Sequence, residues 1–69
     1  MKRIYYEIHS AFDVYDRCSD LVEAQRSAKR ILDEDVTVDS LFIYEITEEN
    51  LDGMAWRMVN DSCVGCFIR

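Results

Sequence analysis

An α+β domain, an antiparallel-rich sheet of three to five strands with one helix packed on one face, is predicted by two strand-like runs that bracket a helical one. Residues 3–11 and 41–47 alternate with period two, whereas Leu21, Ala24, Ala28, Ile31 and Leu32 recur between them at helical spacing. The third observation is length. A chain of 69 residues makes one domain, 1–69, with a small core, and its total stability is on the order of 3 to 10 kcal/mol.

The elements follow in order. In the first strand Ile4, Tyr6 and Ile8 share one face, and Tyr5, Glu7 and His9 the other. Between Ser10 and Cys18, Phe12, Val14 and Tyr15 are interrupted by Asp13 and Asp16, which fits either a short strand or an ordered loop. At Asp20 the period changes. Asp20-Leu21-Val22-Glu23 resembles a capping box, in which the Asp20 carboxylate accepts a helix N–H, and the helix runs to about Asp33–Asp35. Glu23, Gln25, Arg26, Lys29 and Arg30 fall outside its apolar stripe. If the first strand and the Leu41 strand are parallel neighbours, this helix is a right-handed crossover.

From Leu41, Phe42, Tyr44 and Ile46 alternate with Leu41, Ile43 and Glu45. Glu48 to Gly53 has turn composition, ending in Asp52-Gly53, and Met54, Trp56 and Met58 then alternate with Ala55, Arg57 and Val59 to complete a hairpin. Asn60-Asp61-Ser62 reads as a further turn before a last strand, Cys63 to Ile68.

Charge is distributed unevenly. From Asp33 onward nine acids face only Arg57 and Arg69, a formal −7, whereas the first 32 residues carry +1. Such a surface repels phosphate, which argues against nonspecific binding of nucleic acid or anionic membrane. No apolar run approaches the roughly 18 residues of a membrane span. The start Met1-Lys2-Arg3 leads into Tyr5-Tyr6-Glu7 and not into an apolar signal core, so a soluble, cytoplasmic protein is expected. Three cysteines, an odd number with no signal peptide, point to free thiols in a reducing compartment.

Few constellations carry chemistry. Cys63-Val64-Gly65-Cys66 is a Cys-x-x-Cys motif; its readings are packing thiols, a metal site, or a redox pair. Only Cys18 and His9 remain as further soft donors, at a spacing that fits no zinc template, and no helix follows the motif to lower a thiol pKa. On a regular strand the two cysteines, three residues apart, point to opposite faces. His9 has no second histidine to form a hydrolytic site with Ser10. Asp33, Asp35, Thr37 and Asp39 alternate as in a calcium loop, but Val38 stands where glycine is required and Tyr44 where the bidentate glutamate belongs. Arg26, Lys29 and Arg30 form a small basic patch, with Glu23 placed to pair with Arg26. No cofactor is expected.

In its compact length, the strand Ile4 to Ile8, the helix Asp20 to Leu32, the Leu41 to Val59 hairpin and the acids from Asp33 to Asp61, the chain resembles the small acidic α+β proteins of phages and mobile elements. These include anti-CRISPR proteins and related inhibitors of host defence. The resemblance is one of layout and carries over no functional residue. It implies a non-enzymatic, stoichiometric binder that blocks a larger, nucleic-acid-handling host protein by occupying its basic surface. The residues expected to form that electrostatic face are Asp33, Glu34, Asp35, Asp39, Glu48, Glu49 and Asp52, with Tyr5 or Tyr44 as aromatic anchors. Two other readings stay open: a metal- or thiol-dependent module using Cys63 and Cys66, and a structural or regulatory homo-oligomer joined through a sheet edge or the aromatic face.

Overall fold

The computed structural model describes every residue except Phe12, Asp52 and Met54. Four strands and one helix follow in the order β1 (Lys2–His9), β2 (Val14–Cys18), α1 (Leu21–Glu34), β3 (Ser40–Glu49) and β4 (Arg57–Ile68). The strands form one antiparallel sheet in the order β2-β1-β3-β4, with α1 packed on one face. This is the α+β fold that the periodicities predict, and the ambiguous segment after Ser10 resolves into the edge strand β2.

Two topological expectations are corrected. β1 and β3 are antiparallel neighbours, not parallel ones, with Ile8 opposite Ile43. The helix therefore links β2 to β3, which run parallel to each other on either side of β1. Asn60-Asp61-Ser62 is no turn: these residues pair with Thr47, Ile46 and Glu45 inside one continuous β4. A ten-residue β3 offers a long template, and cross-strand pairing overrides the local turn preference of three short polar residues. The register shifts twice along β4, between Ile43 and Tyr44 and between Thr47 and Glu48, where Val64 and Val59 are the extra residues.

α1 begins where the capping pattern places it. The extended Asp20 accepts from the Glu23 N–H at 2.7 Å, satisfying a donor that the first turn leaves free. Ala24, Ala28 and Leu32 are buried against Ile8, Cys18, Leu41 and Ile43, with Tyr6, Leu21, Ile31 and Phe67 closing the margins. The two alanines let the helix approach the sheet closely. On β3 the Leu41, Ile43 and Glu45 side faces the helix; the Glu45 carboxylate accepts from the Tyr6 hydroxyl at 3.0 Å. That bond is the first cause of the upward displacement of the Tyr6 phenol pKa.

The other end of α1 has neither a glycine cap nor a basic residue in its last turn. Arg69 compensates from beyond β4. Its guanidinium donates to the carbonyl oxygens of Leu32, of Asp35 at 2.7 Å and, through Nε, of Val38 at 3.0 Å. Carbonyls that a helix C-terminus leaves open are thus satisfied by a side chain 31 or more residues away.

Candidate protein-binding surface

The connection from α1 to β3 brings Asp33, Glu34, Asp35 and Asp39 to one end of the molecule, where Asp33, Glu34 and Asp39 are exposed. Asp35 is half-buried; its Oδ1 accepts from the Thr37 hydroxyl at 2.6 Å and from the Thr37 N–H at 3.0 Å. Those two bonds hold its carboxyl below the usual aspartate range, with a smaller contribution from Arg69. Asp13, from the β1–β2 connection, joins the group. Together with Tyr15, Thr37 and Asp39 it lines a shallow cleft at this end. Charge separation along the chain had not suggested Asp13, and no local motif marks it.

Glu48 and Glu49 lie elsewhere. They close β3, about 30 Å from its start at the usual rise per residue. Each meets a base. Glu48 accepts from Arg3 Nε at 2.7 Å, and the Arg3 guanidinium sits 4.0 Å over the Trp56 ring. Glu49 stands between Lys2 on β1 and Arg57 on β4 in the register of the sheet. Asp52, the remaining acid expected on this surface, lies outside the described residues. The six described acids therefore divide into an end where carboxylates predominate and an end where bases stand opposite them.

The sheet face opposite the helix is aromatic and internally paired. Tyr5 is half-buried beneath the Arg17 guanidinium, 4.4 Å from its ring, and burial followed by the nearby Glu48 pushes its phenol pKa up. Arg17 also bonds Glu7 at 3.1 Å, and the other Glu7 oxygen lies 3.1 Å from His9 Nε2. The His9 and Tyr44 rings approach to 4.8 Å. Both tyrosines expected as anchors thus have their rings engaged within the chain.

On the outer face of α1, Arg26, Lys29 and Arg30 are exposed, while Glu23 accepts from the Ser19 hydroxyl at 3.3 Å. Among the described residues no group of three or more His, Cys, Asp or Glu is placed to hold a metal ion. Among the described residues, too, no helix is long and apolar enough to cross a membrane. No known protein family, curated protein or solved structure matches the chain.

Proposed function

We propose that the protein is a small non-enzymatic binder, acting in the cytoplasm, that docks its acidic end on a basic surface of a larger nucleic-acid-handling host protein and so blocks it. Asp33, Glu34, Asp35 and Asp39 form the docking end, with Asp13 beside them. The observation that carries this reading is where the charges sit on the helix. Asp33 and Glu34 occupy the last turn of α1 and Asp35 its cap, at the negative end of the helix dipole. The exposed Asp33 and Glu34 carboxylates lie at the helix end that disfavours negative charge, whereas the Thr37 bonds favour the charged form of Asp35. Arg69 directs its guanidinium at the backbone carbonyls here, and among the described residues Asp33 and Glu34 form no ion pair, so a local rule stays broken at these two positions, which is a mark of function. The field of this end attracts a cationic partner and speeds its encounter. The resemblance to phage-encoded inhibitors supplies the partner class.

The test compares capture by three immobilised forms of the chain from a lysate of the host cell. Wild type retains a nucleic-acid-handling protein that elutes as salt is raised and is competed away by its own nucleic acid. A variant carrying Asp33→Asn, Glu34→Gln and Asp39→Asn loses it, whereas Glu48→Gln with Glu49→Gln retains it. Equal retention by the first variant, or no such protein on wild type, overturns the reading.

A further inference from the structure

On a regular strand Cys63 and Cys66 would face opposite sides, and that expectation is corrected by the bulge. Cys63 stands opposite Tyr44 and Cys66 opposite Phe42, with Val64 taken up as the extra residue. Tyr44 and Phe42 are two residues apart on β3 and share a face, so their partners do too. Both thiols therefore lie on the sheet face away from the helix, and both cysteines are exposed. Their Cα atoms are separated by about two residue rises of the partner strand, near 6.6 Å. Disulfides span roughly 4.4 to 6.8 Å between Cα atoms and 3.5 to 4.5 Å between Cβ atoms, so closure draws the two Cβ atoms together by about 2 Å across the bulged, glycine-bearing stretch between them.

Side-chain direction agrees. The Cys63 Sγ lies 3.4 Å from the oxygen of the Gly65 carbonyl, whose carbon is bonded to the Cys66 nitrogen. The thiol thus leans along the strand toward its neighbour. Gly65 itself turns to the other face, where a Cβ would meet Ile43 Cδ1 at 3.4 Å. Cys18 is buried on the helix side, and burial raises its pKa, so it takes no part.

We propose that Cys63 and Cys66 form a thiol–disulfide exchange site that closes into an internal disulfide with low-molecular-weight disulfides such as oxidised glutathione. A thiolate of the pair attacks one sulfur of the small disulfide, forming a mixed disulfide and expelling one small thiolate. The second cysteine, deprotonated, attacks the protein sulfur of that bond and expels the other. The protein loses two electrons and two protons, and the small disulfide becomes two thiols. In a reducing compartment the pair rests as thiols and closes when the oxidised fraction rises.

The experiment incubates the folded full chain in glutathione buffers of increasing oxidised fraction, quenches with acid, alkylates in denaturant and reads intact mass with peptide mapping. Wild type should lose two of its three alkylatable thiols together, become lighter by two hydrogen atoms and carry no glutathione, with Cys18 still alkylated. Cys63→Ser and Cys66→Ser, which cannot close, should each accumulate one glutathione on the remaining exposed cysteine. Three outcomes overturn the proposal: glutathione stable on both Cys63 and Cys66 of wild type, covalent dimers in place of the internal bond, or wild type keeping three thiols where the serine variants are modified.

Discussion

Replacing Arg69 with alanine removes a side chain that closes the C-terminal end of α1. Its guanidinium serves the carbonyls of Leu32, Asp35 and Val38, tying the last helical turn to the start of β3. A hydrogen bond with a charged partner contributes roughly 1.5 to 3 kcal/mol where water is excluded. Here three such bonds share one residue that is itself exposed, so each falls below that range. A total of about 3 kcal/mol is consistent with this, including the favourable position of a cation at the helix C-terminus. That is a large share of a stability on the order of 3 to 10 kcal/mol. With a urea dependence of about 1 kcal/mol per molar for so small a chain, the midpoint should fall by about 3 M. Arg69→Lys keeps the charge but not the fork and should recover less than half. Urea melts followed by far-ultraviolet circular dichroism read all three proteins. A midpoint for Arg69→Ala within about 0.5 M of wild type, or a lysine variant as stable as arginine, refutes the capping argument.

Other substitutions probe separate contacts. Tyr6→Phe leaves the half-buried Glu45 carboxylate without the hydroxyl that it accepts from and should cost about 1 to 2 kcal/mol in a urea melt, most of it recovered by adding Glu45→Gln. Asp35 has a folded pKa below its unfolded one, so its contribution is present above the ordinary aspartate range and is lost as pH falls through the folded value. Asp35→Asn should flatten the acid limb of the stability profile, and an unchanged limb counts against the Thr37 bonds as its cause. Native alkylation with iodoacetamide should modify Cys63 and Cys66 quickly and Cys18 only on unfolding, because Cys18 is 4% exposed and its thiol is held protonated by burial. Three equal rates would contradict that placement.

The acidic surface shows how far charge can be read along a chain. Asp33 to Asp39 stay together because they occupy one short connection, and proximity in sequence becomes proximity in space. Glu48 and Glu49 belong with them in sequence but not in the fold. A ten-residue extended strand carries them to the far end, where Arg3, Lys2 and Arg57 arrive from strands whose register is set elsewhere. The thiols illustrate the same limit. Alternation alone assigns them to opposite faces, and one unpaired residue reverses the assignment.

Residue order by itself determined the local elements: period-two runs for β1 and β3, the apolar stripe and Asp20 cap for α1, and a break before the last strand, although β3 continues through Glu49 and β4 begins only at Arg57. Each depends on side chains a few positions apart, so each is written in a short window. Only the tertiary structure decided the antiparallel β1–β3 pairing, the continuity of β4, the bulge that brings Cys63 and Cys66 to one face, and the closure of α1 by Arg69. These depend on contacts between distant segments, where burial of Ile8, Leu41 and Ile43 under the helix selects one register and every other neighbour follows from that choice.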